Sequence, residues 1–217
     1  RLHGDIEFKD VTFKFGKHTV LDNVNFKIKA GQTVAIMGET GSGKTSLINL
    51  IPRFYDTKSG EVLVDGVNVR KRKLSQLRSQ IGMATQDVLL FSDTIDGNIA
   101  YGDSDMSEED VKHYAKLAAA NEFVEKMPEG YDTIVGERGV GLSGGQKQRL
   151  SLARALAIKP AILILDDTTS AVDMETEKYI QDSLRNLDFP CTKLIIAQRI
   201  SSTKDADVII ILDDGKI

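Results

Sequence analysis

Positions 38–45 read Gly38-Glu39-Thr40-Gly41-Ser42-Gly43-Lys44-Thr45 and fit G-x-x-x-x-G-K-[ST] in full. Glycines at this spacing let backbone N–H groups turn inward around phosphate oxygens. A helix opening at the lysine adds the positive end of its dipole. In such a loop Lys44 neutralises β- and γ-phosphates and the Thr45 hydroxyl ligates Mg2+. Further on, Ile162-Leu163-Ile164-Leu165 runs into Asp166-Asp167. Taken alone, an Asp pair after an apolar strand would more simply be a turn. Behind a phosphate loop it supplies a carboxylate to the Mg2+ shell, and Asp166 holds that place. A third chemical signature, Leu142-Ser143-Gly144-Gly145-Gln146, precedes an apolar helical run. Ser143 and Gln146 make an S-x-x-Q capping box, which requires no glycines. The glycine pair strips the helix start of side chains and opens its N–H groups to an anion. One chain with two phosphate-binding helix starts implies that two chains share each nucleotide.

The elements that must hold these residues are legible in the apolar pattern. Residues 33–37, 162–165, 194–197 and 208–212 are continuous apolar runs, as in strands buried on both faces. Helical patterns at 44–51, 146–158 and 175–187 alternate with them, which predicts a mostly parallel α/β sheet. Residues 6–8, 11–15 and 20–29 alternate apolar and polar instead, and 62–67 reads as a hairpin around Asp65-Gly66. These predict a small antiparallel sheet. Between about 90 and 158 the pattern is helical without strands. The predicted fold is therefore α/β over 1–217. An antiparallel β part covers about 1–30 and 60–70, an inserted α-helical sub-domain covers about 90–158, and a parallel core makes up the remainder.

Composition narrows the class. The chain has 217 residues, a net charge of −4, 41% hydrophobic and 28% charged residues, the balance of an ordinary soluble domain. A domain of this size buries about 70% of its unfolded surface, enough for a full core. The longest apolar runs are five residues, whereas a membrane-spanning helix needs about 20. The opening Arg1-Leu2-His3-Gly4-Asp5 lacks the apolar stretch of a signal peptide. A single cysteine, Cys191, excludes an internal disulfide and fits a reducing compartment. The mildly acidic balance argues against a nucleic-acid partner. His3, His18 and His113 have no metal-ligand spacing, and Arg70-Lys71-Arg72-Lys73 reads as a solvated loop. These features predict a soluble, cytoplasmic-type domain.

Taken together, the motifs resemble the nucleotide-binding domain of an ATP-binding cassette (ABC) transporter over essentially the whole chain. Residues 38–45 match the Walker A motif, 162–166 resemble Walker B, and 142–146 are the unaltered signature motif. Gln86 matches the Q-loop glutamine, and Ser170-Ala171-Val172-Asp173 resembles the D-loop. Phe15 falls at the adenine-stacking position of the A-loop, where the family usually has Tyr; Phe keeps the ring and loses the hydroxyl. The resemblance implies a P-loop, RecA-like core with ATP and Mg2+ as cofactors. It assigns ATP contacts to Phe15, Gly38, Glu39, Thr40, Gly41, Ser42, Gly43, Lys44, Thr45, Ser46 and Gln86. Mg2+ falls to Thr45, Gln86 and Asp166, and the partner's ATP to Ser143, Gly144, Gly145 and Gln146. Residues 89–95 resemble the exporter segment after the Q-loop, and 133–139 the exporter X-loop, which meets the coupling helices of membrane domains.

The resemblance gives Asp167, Gln198 and Gln86 as the catalytic positions, and the sequence departs from the family pattern at Asp167 and Gln198. The family places Glu after the Walker B Asp, as base or positioner for the attacking water; here Asp167 is one methylene shorter. A base must reach within about 2.6–3.2 Å of its proton, and a misplacement near 1 Å lowers rate about 100-fold. The switch-loop His is replaced by Gln198, which hydrogen-bonds but cannot carry imidazole's proton. This pairing resembles the degenerate subunit of heterodimeric ABC exporters. Its partners are then a non-identical second nucleotide-binding domain and fused or associated transmembrane domains, and its location is the cytoplasmic face of the membrane. Two other readings stay open at this point: a fully active ATPase domain of a homodimeric exporter, and a regulatory nucleotide-gated module with little catalysis.

Overall fold

The computed structural model describes residues 1–85, 88–137, 141–166, 169–198 and 200–217, with Ser201 and Ser202 as backbone alone. The chain opens with β1 (Ile6–Phe15), β2 (His18–Ile28), β3 (Thr33–Met37), α1 (Lys44–Leu50), β4 (Ser59–Val64), β5 (Val67–Asn68) and α2 (Leu74–Arg78). Next come β6 (Ile81–Ala84), β7 (Asp93–Thr94), α3 (Ile95–Ile99), α4 (Glu108–Leu117), α5 (Asn121–Glu125), β8 (Ile134–Val135) and α6 (Gly144–Ala157). It closes with β9 (Ile162–Asp166), α7 (Met174–Arg185), β10 (Thr192–Ile196) and β11 (Val208–Ile211). Two compact units result, one of residues 1–81, 161–166 and 190–217, the other of 82–160 and 167–189.

The first unit holds an antiparallel sheet in the order β2-β1-β4-β5. Along β1 the buried residues are Ile6, Phe8, Val11 and Phe13. Strict alternation would turn Asp10 inward. A bulge absorbs the extra residue: Asp10 takes a φ of 50° and the β1–β2 register slips between Phe8 and Val11. Gly60 of β4 closes against this bulge, where an added Cβ would lie 2.1 Å from the Asp10 carbonyl oxygen, at a φ of +80°. Gly60→Ala combines a left-handed backbone with a backbone clash, a cost of about 2–4 kcal/mol. A melt should show Tm lowered by roughly 5–15 °C. The β4–β5 turn has positive φ at both Asp65 (51°) and Gly66 (77°), as an Asp-Gly hairpin requires.

The core sheet is parallel and five-stranded, in the order β11-β3-β10-β9-β6, so the expected α/β class is the one found. Val34, Ala35 and Ile36 of β3 and Ile162 through Leu165 of β9 are all buried, as continuous apolar strands should be when both faces are covered. Leu47, Ile48 and Leu50 of α1 turn inward beside them.

In the second unit α6 is buried on most of its circumference, through Leu150, Leu152, Ala153, Ala155 and Leu156. Beside it, α4 is amphipathic and buries Val111, Tyr114 and Ala115. Ser107 caps it by accepting from the Asp110 N–H at 3.1 Å, and Glu108, Glu109 and Asp110 oppose the helix dipole. His113 is exposed on α4, 3.5 Å from the Asp188 carboxylate. β7 and β8 pair antiparallel, which corrects the expectation of a strand-free span from 90 to 158. Strands of two residues carry no readable period. The basic run is solvated as expected at Arg70, Lys71 and Lys73, which are exposed, but it is more ordered than a plain loop. Residues 69–71 form a 3-10 turn, and Arg70 and Arg72 donate to the carbonyls of Thr57 (2.9 Å) and Val64 (2.6 Å). Among the described residues no helix is long and apolar enough to cross a membrane.

Candidate functional site

The parallel register aligns the chemistry at one edge of the core sheet. Ile196 of β10 stands between Ile36 of β3 and Asp166 of β9. The carboxyl ends of these strands therefore lead side by side into Gly38, Gln198 and Asp166, and ligands of open α/β sheets bind at that edge. Gly38 follows β3 directly, and the turn after it closes when Ser42 N–H donates to the Glu39 carbonyl at 3.0 Å. Lys44 is buried, and its ammonium donates to the Gly38 carbonyl inside the loop. The Ser42 hydroxyl is buried with no hydrogen-bond partner among the described residues. An orphaned donor beside a buried cation fits a loop shaped for phosphate oxygens.

Two other segments brace this loop. Gly43, at φ +106°, lies so near β2 that an added Cβ would be 2.8 Å from Leu21 and 3.1 Å from the Val20 carbonyl. From the C-terminal turn, Gly215 N–H donates to the Ser42 carbonyl at 2.9 Å. Glu39, Thr40, Gly41 and Thr45 are exposed, and Ser46 and Asp166 are half-buried. The Thr45 hydroxyl and Asp166 carboxylate are hard oxygen donors, the set that Mg2+ takes. Gln198 is exposed just beyond β10. Gln86 and Asp167 lie outside the described residues.

Phe15 ends β1 at the tip of the β1–β2 hairpin, paired with His18 and 49% exposed. Its ring is 4.8 Å from that of Phe13 and 5.3 Å from that of Tyr55, nearly perpendicular to both. Phe15 therefore lies outside the buried core of its sheet. Tyr55 had no motif to single it out; its proximity arises only from the fold.

In the second unit the signature residues form the start of α6. Ser143 Oγ accepts from Gln146 N–H at 3.1 Å, and Gln146 Oε1 accepts from Ser143 N–H at 3.0 Å. The capping box and the bare glycine start therefore coexist, and α6 begins at Gly144 rather than at 146. Gln148, one turn in, donates to the Ser170 hydroxyl at 2.9 Å and accepts from Ala171 N–H at 3.1 Å. It ties the signature helix to residues 170–173, a role its sequence position did not reveal. Arg149 Nε donates to the Gly145 carbonyl at 3.1 Å, with its guanidinium 4.8 Å over the Phe123 ring. Burial lowers the pKa of Arg149. Asp173 caps α7 by accepting from Thr176 N–H at 2.7 Å, which holds its carboxyl below the usual range. Burial raises the Cys191 thiol to about 11, leaving it protonated and unreactive.

Comparison with known proteins agrees with this geometry. Residues 21–170 match the ABC transporter family. Over 217 residues, all of this chain and 38% of the relative, the sequence is 49% identical to the uncharacterized ABC transporter ATP-binding protein YwjA of Bacillus subtilis strain 168. It is also 49% identical over 220 residues to the ATP-dependent lipid A-core flippase of Idiomarina loihiensis, covering 100% of this chain and 38% of the flippase. The fold matches a bacterial Atm1-family ABC exporter solved with ATP bound, with a TM-score of 0.94 and 40% identity over 99% of this chain and 38% of that one. The chain thus spans 38% of the length of these relatives. With the phosphate loop, the strand-end carboxylate and the capped signature helix all in the fold of these proteins, the chain belongs to the ABC transporter family, as an ATP-binding domain.

Proposed function

We propose that this domain binds Mg-ATP and joins a second, non-identical ABC domain head to tail. Together the pair drives export through membrane domains, and this chain's own Walker A site turns over slowly. The observation that carries the reading is an intact, braced phosphate loop in a chain with Asp167 and Gln198 at the two positions that handle the attacking water. Lys44 moves from the Gly38 carbonyl to the β- and γ-phosphates, Ser42 donates to a phosphate oxygen, and Phe15 stacks on the adenine. Mg2+ supplies neutralising charge on the phosphates, and Thr45, Asp166 and Gln86 hold it. Asp167 is too short to bring a water into line, and Gln198 contacts the γ-phosphate without donating a proton's charge. Ser143, Gly144, Gly145 and Gln146 complete the partner's site. The ATP-bound exporter that shares the fold, at 40% identity, supports the nucleotide assignment. The assembly sits at the cytoplasmic face of a membrane, and segments outside these residues choose what is carried.

Asp167→Glu with Gln198→His restores the carboxylate's reach and the imidazole together. In the assembled exporter it should raise single-turnover hydrolysis at this chain's site by about tenfold, with each single change doing less because the pair acts as a unit. An unchanged rate, or a wild-type site already as fast as its partner's, rejects the slow-site reading and restores the fully active ATPase.

A further inference from the structure

We propose that Tyr55 is a positioning residue for the base of the nucleotide, acting through the ring of Phe15; this rests on the reading above that Phe15 stacks on adenine. The hairpin tip that carries Phe15 has little else to hold it. Lys14, Lys17 and His18 around it are exposed, and the turn passes through Gly16 at φ 57°. Phe15 is itself half-exposed, so its ring orientation is set by what touches it. Its ring neighbours are buried Phe13, at 4.8 Å and 77°, and Tyr55, at 5.3 Å and 89°. Phe13 and Tyr55 also meet each other, at 5.5 Å and 51°. The three rings form a closed set in which each touches the two others, and both contacts of Phe15 have the edge-to-face geometry that aromatic quadrupoles favour, while Phe13 and Tyr55 meet at a tilt.

Tyr55 can orient another ring because its own backbone is held. The chain leaves α1 through Arg53, whose φ is 59°. Arg53 N–H donates to the Leu50 carbonyl at 3.2 Å, and Phe54 N–H to the Asn49 carbonyl at 3.0 Å. Arg53 Nε reaches Asp56 at 2.8 Å, and Lys58 N–H donates to the Thr12 carbonyl of β1 at 2.8 Å. The segment that carries Tyr55, itself 43% exposed, is therefore tied on one side to the end of α1 and on the other to β1. Lys44 opens that same helix. One short rigid segment carries the phosphate-binding cation at its start and the support of the base platform just past its end, so the two ends of the nucleotide are gripped by parts of one element. The phenol that the family carries at position 15 is absent there, and the neighbouring phenol belongs to Tyr55. Its hydroxyl makes no hydrogen bond among those described, so the ring alone does the positioning.

The test measures Mg-ATP and Mg-tripolyphosphate affinities on the full-length exporter chain, because tripolyphosphate has no base. Tyr55→Ala and the bulk-preserving Tyr55→Leu should each weaken ATP by about three- to tenfold and leave tripolyphosphate unchanged, while Tyr55→Phe should match wild type. Phe15→Ala should weaken ATP by about tenfold, and adding Tyr55→Leu to it should cost nothing more, since the second residue acts through the first. Equal losses for ATP and tripolyphosphate would mean a structural role and overturn the inference. So would Tyr55 variants that bind ATP normally while Phe15→Ala does not; in that case the base-platform reading stands alone. If Phe15→Ala binds ATP as well as wild type does, the platform reading fails first and takes the role of Tyr55 with it.

Discussion

Gly144→Glu is expected to leave the domain folded and to lower ATP turnover of the assembled exporter about 100-fold or more. Gly144 is exposed at the first position of α6, and among the described residues a Cβ there would meet only the Ala171 methyl, at an ordinary 3.6 Å. The new carboxylate has room, and at a helix N-terminus it is slightly stabilising. The same charge stands where the proposed partner site brings a γ-phosphate against bare N–H groups. Removing one such preorganised donor costs about 100- to 1000-fold in other enzymes, and here repulsion is added to the loss. Phosphate release at saturating Mg-ATP, with a thermal melt run alongside, decides the matter. Gly145 serves as a contrast, because a Cβ there would lie 2.6 Å from the Ala171 carbonyl and disturb packing as well as chemistry. Undiminished turnover by Gly144→Glu would show that this helix start does not face a nucleotide.

Lys44→Ala should weaken this chain's own Mg-ATP binding by about 10- to 100-fold, the range set by losing a charge-assisted hydrogen bond of about 1.5–3 kcal/mol. Lys44 is 9% exposed, and its ammonium already lies inside the loop on the Gly38 carbonyl. No water-facing rearrangement can replace its charge from elsewhere in the loop. Hydrolysis at the partner's site should survive Lys44→Ala better than it survives Gly144→Glu, because in the proposed head-to-tail pair the two residues serve different nucleotides. Fluorescent-nucleotide titration gives the affinity and phosphate release gives the ordering. Turnover abolished by Lys44→Ala and spared by Gly144→Glu would place the working site in this chain.

What could be read ahead of the structure was chemistry carried by neighbours in sequence. The phosphate loop, the Ser143–Gln146 box and the Asp65-Gly66 turn each depend on residues within one turn or hairpin, and each has the local geometry its residues require. The apolar runs in β3, β9 and the second half of β10 were equally plain, since a stretch buried on both faces is apolar throughout. Ile81–Ala84 escaped notice as a strand because it is short and holds Gly82, leaving neither length nor alternation to count. The Ser42–Gly215, Gln148–Ser170 and Phe15–Tyr55 contacts were illegible for another reason: they join residues far apart in the chain, and no periodicity encodes a partner. The helix starting at Gly144 was placed late because glycines are poor helix formers, yet here the cap overrides propensity.

The brace on the phosphate loop can form only late. Its Ser42 carbonyl waits for the Gly215 N–H, and the same unit joins Thr192 to the Gly4 carbonyl at 2.8 Å across 188 residues. Chains emerge from the ribosome N-terminus first, and contacts of such separation close slowly because their loop entropy comes due before any contact offsets it. Residues 38–45 are made early, but the hydrogen bond that braces the Ser42 carbonyl closes only after β11 and the turn that follows it have emerged. Nascent chains still missing residue 215 therefore carry the motif without this brace.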